Sequence, residues 1–359
     1  MATQPVVVDA ALQQIGAEKI ASFRDLRVLA WDDETLYASC GYTLLASHPK
    51  AETVRWRVIG RFNPSPWRRL TSLNSLSYRL VRDGFHALAV HSSGNLIAAV
   101  PGAIVTMHGD DDEFRISHLI TRGTRPLHIT ATLDGTVLLG EYFDNSQRDE
   151  VHIYASSDGG MMWNIARTFP KRSIRHIHNI LYDRWENCLW IFTGDYGSEC
   201  RILRASADLR TINEAVAGNQ QARAVAAVVH ESGLFFATDT PLEQNYIYFL
   251  SRAGRMKRLL AIPSSSIYGC LNKTGMFFST MIEPSDFNPS RQVHLFGSSR
   301  GAEWNDVAKW RKDGWPMKLF QYGNAFLPDG TNNTDLLAAT TIAVKGADLV
   351  TTIWRTSKP

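Results

Sequence analysis

Short apolar runs rich in β-branched and aromatic residues alternate with polar turns along most of the chain. Seven times such a run reaches a turn and a second run follows. The turns are Asp32-Asp33-Glu34, Ser92-Ser93-Gly94, Leu133-Asp134-Gly135, the segment from Asp183 to Asn187, Glu231-Ser232-Gly233, Lys273-Thr274-Gly275 and Pro328-Asp329-Gly330. The second runs, such as those beginning at Leu96, Leu189, Leu234 and Met276, are short and bounded by Gly, Asp and Asn, as buried strands are. Helical periodicity is confined to two short patches, Ala10 to Lys19 and Asn213 to Gln221.

The turns recur every roughly 40 to 60 residues, the period of a four-stranded propeller blade. The middle unit shows the remaining two strands, around Glu150 to Ser156 and from Trp163 onward. The last unit ends after Asp348 to Trp354, its third strand. Residues Glu18 to Phe23, or Val6 to Val8, are placed to supply the missing outer strand and remove an open edge. The expected fold is an all-β, seven-bladed β-propeller of four-stranded antiparallel blades, one domain over residues 1–359, with residues 1–25 closing the ring.

Composition narrows the function classes. With 44% hydrophobic and 20% charged residues the chain has the profile of a globular protein. A formal charge of +3 gives no basis for nucleic-acid binding. No apolar stretch approaches the roughly 20 residues that span a bilayer, and the start has no secretory pattern, so the cytoplasm is the expected compartment and no membrane partner is expected. Cys40, Cys188, Cys200 and Cys270 form no CxxC pair, which argues against a disulfide framework or structural zinc and for buried small hydrophobes. The basic clusters Trp67-Arg68-Arg69 and Arg255 to Arg258 read as solvated faces. Asp110 to Glu113 lacks the ligand spacing of a calcium loop and reads as a hairpin tip.

Ser156-Ser157-Asp158-Gly159-Gly160-Met161-Met162-Trp163 matches the Asp-box pattern S-x-D-x-G-x-x-W, with degenerate copies at Ser206 to Thr211 and Ser298 to Trp304. With the repeated units, the chain resembles the sialidase-like, BNR-repeat propellers over nearly its full length. The resemblance implies a scaffold role for the box. It does not extend to sialidase chemistry, since the Arg-Ile-Pro motif is absent and no arginine triad is assignable. Other propellers with such repeats cleave uronate polymers by elimination with histidine and tyrosine.

In a blade the start of the first strand and the end of the second share one rim. On that rim fall Glu141, Tyr142, Asp195, Asp239 and Glu283 from second strands, and Arg125, His128, Arg175, His176, His178, Arg223 and Tyr268 from first strands; Tyr246 is a further candidate sugar contact. The carboxylates would serve as acid and base, the arginines would clamp an anionic group, and the tyrosines would stack sugars or donate a proton. His176 and His178, two apart on a strand, point to one side. One would bond a carboxylate while the other faces substrate; the alternative is a divalent metal shared with Asp195 or Glu141. No cofactor is otherwise expected. Glu141, Asp195, His176, His178 and Tyr142 are thus the catalytic candidates. Arg125, His128, Arg175, Arg223, Asp239, Tyr246, Tyr268 and Glu283 are the substrate-binding ones.

These groups point first to cleavage of glycosidic bonds in an acidic oligo- or polysaccharide by hydrolysis. Elimination on a uronate polymer is the second reading, and a non-catalytic glycan-binding or protein-interaction propeller the third.

Overall fold

The computed structural model describes residues 15–49, 53–72 and 75–358. These form six hydrogen-bonded sheets. Five contain four strands, and the sixth contains nine. The large sheet consists of two antiparallel meanders, Arg27–Asp33 to Arg57–Phe62 and Ala87–Val90 to Glu113–Leu119, joined where Arg61 and Phe62 pair in parallel with Glu113 and Phe114. Its ninth strand, Asp329–Asn332, runs parallel to Arg27–Asp33. The other sheets are antiparallel meanders beginning at Thr130, Ile177, Ala224, Ser266 and Asn324.

The second strands of the meanders, such as Leu96–Val100, Cys188–Thr193 and Gly233–Thr238, are almost wholly apolar because each is buried on both faces. Val225, Ala226, Phe236 and Phe278 typify the fill between neighbouring sheets. The innermost strands touch in sequence: Arg27–Asp33 against Ala87–Val90, then Thr130–Ala131, Ile177–Asp183, Ala224–His230, Ser266–Leu271 and Asp329–Asn332, which returns to Arg27–Asp33. The sheets thus form a closed cycle around one axis.

Gly16–Arg24 pairs antiparallel with Val350–Ser357 and supplies the outer strand of the last sheet. Expected helix at Ala10 to Lys19 is therefore strand from Gly16 onward; residues 10–14, like Val6 to Val8, lie outside the described residues. The segment Asn213 to Gln221 is likewise mostly strand, Ile212–Ala217, followed by a single 3-10 turn at Gln220–Ala222. The carbonyl and amide groups of an outer strand gain ladder partners there that an isolated short helix would lack.

The turn expected at Pro328-Asp329-Gly330 is not a reversal. The chain stays extended to pair with Arg27–Asp33, and Asn332 Oδ1 accepts the Thr334 amide where the chain turns back. The sequence also gives no warning of the helices Pro66–Thr71 and Ser75–Val81, inserted between the first two meanders, or of Met317–Phe320. Arg79, almost fully buried, fastens this insertion: it donates to the Phe320 carbonyl and pairs with Asp313 and Asp348. Within the Trp67-Arg68-Arg69 cluster, Arg68 is paired with Asp83 and Trp67 is exposed.

The Asp-box does what its residues dictate. Asp158 Oδ1 accepts the Met161 and Met162 amides and the Ser156 hydroxyl. Trp163 Nε1 donates to Ser117 Oγ in the preceding sheet, tying neighbouring sheets together. The degenerate copies keep parts of this pattern: Asp208 accepts the Arg210 amide, and Trp304 Nε1 donates to the Gly301 carbonyl. All four cysteines are free, and Cys40 is exposed at a strand end rather than buried.

Candidate functional site

The rim rule holds for most of the candidates because register fixes it. Asp239 N donates to the Arg223 carbonyl, and Gly194 N to the His176 carbonyl, so the end of each second strand meets the start of the first. Gly194 has φ +88°, and a Cβ there would lie 2.0 Å from the Glu199 carbonyl oxygen. Only glycine permits this close passage, which delivers Asp195 to the rim.

Asp195 is the centre of a buried cluster. His178 Nε2 lies 3.2 Å from Oδ1 and His176 Nε2 3.4 Å from Oδ2. Arg175 Nη1 approaches Oδ2 at 3.1 Å, and Arg223 Nη2 reaches both Asp195 Oδ1 and Asp239 Oδ2 at 3.4 Å. Burial opposes the charge on Asp195, but the two histidines beside it outweigh that and hold the carboxyl well below the usual range. Burial pushes His178 down to about 4 despite the neighbouring Asp195. Asp239 goes the other way: burial, then the charges of Glu283 and Asp195, raise it to about 7 against the pull of Arg223. Its Oδ1 and the Arg223 Nε are both buried without a hydrogen-bond partner.

A cavity of about 350 Å³ opens beside this cluster. Arg27, Arg125 and Arg223 line it together with Asp239 and Glu283, and Tyr142, Tyr268, Tyr322 and Phe326 form aromatic walls. Arg27 donates to His86 Nδ1 at 3.0 Å and lies 4.0 Å over the Phe326 ring. Arg125 has no ion pair among the described residues. Burial, followed by repulsion from Arg27 and Arg82, brings its pKa down to about 10. Burial and the charges of Asp239 and Asp195 push Tyr142 up to about 12. Ser265 Oγ donates to Glu283 Oε2 at 2.8 Å.

Several candidates do not line this cavity. Glu141 faces a small side pocket, where Arg122 grips both its oxygens and the His152 amide donates to it at 2.7 Å. It is not part of the Asp195 cluster, because the Arg122 fork holds it away. Tyr246 lies on the third strand of its meander, under the Arg258 guanidinium at 3.9 Å, and does not line the cavity. His128 is paired with Asp329, and Arg175 divides itself between Asp195 and Asp144. Neither His176 nor His178 faces open space: both are buried and both turn toward Asp195.

The cavity also has contributors that sequence reading missed. Arg27 and His86 stand at the starts of first strands, so the rule that found Arg175 and Arg223 applies to them as well. Tyr78 and Arg82 come from the helical insertion, and Gln321 follows the short helix fastened to it by Arg79. They carried no signal because insertions do not obey the repeat.

No family model matches the chain, and no curated protein sequence matches it. The fold does match solved structures. A chain of the crystal structure of a mitotic checkpoint complex aligns with TM-score 0.56 at 10% identity, covering 99% of both chains. The WD40 β-propeller domain of Doa1 aligns with TM-score 0.54 at 11% identity, covering 94% of this chain and 96% of that one. The chain is therefore an all-β protein with the β-propeller fold, most of its sheets four-stranded and antiparallel. Identity this low carries the fold alone. Among the described residues, no helix is long and apolar enough to cross a membrane.

Proposed function

We propose that the chain is a single-domain, seven-bladed propeller acting as a non-catalytic binding module, with its axial mouth taking a carboxylate-bearing saccharide. One observation carries this reading: Arg27, Arg125 and Arg223, distant in sequence, open on one cavity, and Arg125 has no carboxylate partner among the described residues. A guanidinium with open donors is suited to a carboxylate. Asp239 and Glu283 can accept sugar hydroxyls, and the tyrosine rings offer faces for stacking. A binding role accords with the chain of similar fold that sits in a mitotic checkpoint complex; the saccharide half rests on the mixed lining, since an acidic peptide would meet two carboxylates beside the arginines.

Calorimetric titration tests this with three sets of ligands: uronate oligosaccharides, their neutral counterparts and acidic peptides. Binding of the uronates alone, lost in Arg125→Gln, is the expected result. Preference for the peptides would mean a protein partner, and no discrimination by charge would end the reading.

A hydrolytic reading is favoured by one observation, the opposite tuning of Asp195 and Asp239 around the shared Arg223. A carboxyl still protonated near neutrality beside an ionised one has the form of an acid–base pair. Hydrolysis would give new reducing ends, with a rate falling above pH of about 7. Nothing comparable favours elimination, since Tyr142 is pushed up and both imidazoles are engaged by Asp195.

A further inference from the structure

The His176–His178–Asp195 cluster has an arrangement that protein hydrogen bonds alone leave incomplete. His176 Nδ1 lies 3.0 Å from the Phe143 carbonyl oxygen and His178 Nδ1 3.2 Å from the Ala224 carbonyl oxygen. A carbonyl only accepts, so both Nδ1 atoms carry protons. In the neutral rings both Nε2 atoms are then lone pairs. They face each other at 2.9 Å and face the Asp195 carboxylate at 3.2 and 3.4 Å. Three acceptors converge on one buried point, which calls for a cation between them.

We propose that this point is a divalent-cation site of zinc type, held by His176 Nε2, His178 Nε2 and an Asp195 oxygen. Two imidazoles and a carboxylate are a common three-ligand set for zinc, with the fourth position left to water or another ligand. The spacing fits. Corners about 3.2 Å apart lie about 1.8 Å from their common centre, so an ion about 2.0–2.1 Å from each sits roughly 1 Å out of their plane. The carbonyl bonds at Nδ1 are the outer contacts that fix tautomer and ring orientation in histidine-ligated metal sites. Arg175 and Arg223 also reach Asp195, but a carboxylate offers about four lone-pair directions and can serve them and an ion together.

The carbonyls belong to different sheets. Phe143 follows the second strand of the sheet before His176, and Ala224 begins the sheet after it. An ion here would therefore pin three adjacent sheets behind the axial cavity. The cluster of Asp183, Glu186 and Cys188 has comparable spacing but is already satisfied: Arg252 and Trp190 hold Asp183, while Arg252 and Arg204 hold Glu186. It serves as an internal control.

The test uses the full chain purified without a polyhistidine tag, stripped with chelator and titrated with zinc chloride. Elemental analysis, thermal unfolding and the visible spectrum after cobalt substitution are the readouts. About one zinc per chain, a rise in Tm on zinc addition and a four-coordinate nitrogen–oxygen cobalt spectrum are expected. All three should be lost in His178→Ala and in the milder Asp195→Asn, and retained in Glu186→Gln. Circular dichroism of the variants separates loss of ligand from loss of fold. If the native chain takes up no stoichiometric zinc, cobalt or manganese, the two imidazoles share a proton and the proposal fails. Zinc uptake that persists without His176 and His178 overturns it equally. Metal content is read without any saccharide, so this result stands apart from that of the axial mouth.

Discussion

Asp195 and Asp239 reach the same guanidinium nitrogen, each 3.4 Å from Arg223 Nη2, yet one carboxyl is held far below its usual pKa and the other is raised to about 7. Asp195 has imidazoles and a second arginine around it, whereas Asp239 has only the shared arginine against burial and two neighbouring carboxylates.

Asp239 should therefore set a pH dependence on anion binding. Below about pH 7 it is neutral and does not oppose the pull of the arginines on the ligand. Above that value it ionises beside Arg223, and uronate affinity should fall by about tenfold, the effect of one added charge worth roughly 1.4 kcal/mol. Calorimetry from pH 5.5 to 8.5 in native protein and Asp239→Asn checks this. The variant should show no step, and a step that survives would place the titrating group elsewhere.

Arg125 and Arg223 should separate function from stability. Arg125 sits among like charges with no ion pair among the described residues, so Arg125→Gln is expected to leave Tm unchanged or slightly raised while weakening uronate binding by about tenfold or more. Arg223→Met leaves the buried Asp239 without its only cationic partner among the described residues and should cost about 3–5 kcal/mol, read from denaturant unfolding.

Much of this arrangement was legible in the sequence, and the failures have physical reasons. Turns between apolar runs located the second strands, because a strand buried on both faces must be apolar throughout and must end in residues that tolerate reversal. The Asp-box was readable because its hydrogen bonds are local. Glu141 was misplaced because its position depends on Arg122, a side chain outside the repeat pattern. Tyr246 was misplaced because it stands on a third strand, where alternation puts aromatic residues between sheets as readily as on a rim. The Pro328 to Gly330 segment looked like a turn because its partner, Arg27–Asp33, lies at the other end of the sequence.

Asp158 acts on the opposite side of the sheets from the cavity. Asp158→Ala should destabilise by about 1 kcal/mol through loss of its bonds to the Met161 and Met162 amides, with ligand affinity unchanged. Hydrogen bonding to the charged form depresses its pKa, so the contribution is present above the ordinary carboxylate range and fades as pH falls through the lowered value. Thermal unfolding of native and variant protein between pH 2.5 and 6 should show the two curves converging at the acidic end.

Gly16–Arg24 covers the exposed edge of Val350–Ser357. Deleting residues 1–24 should lower Tm by at least about 5 °C and promote self-association, as an uncovered strand edge does. Scanning calorimetry with light scattering checks both, and a peptide spanning residues 15–25 should restore part of the loss.

That same pairing sets an order on the birth of the molecule. The strand at residues 16–24 leaves the ribosome long before its partner at residues 350–357 exists, so it must wait through the translation of every intervening sheet. Until then the last neighbours in the cycle have nothing to fasten them, and the nascent chain carries unpaired backbone that a chaperone or a second chain can seize.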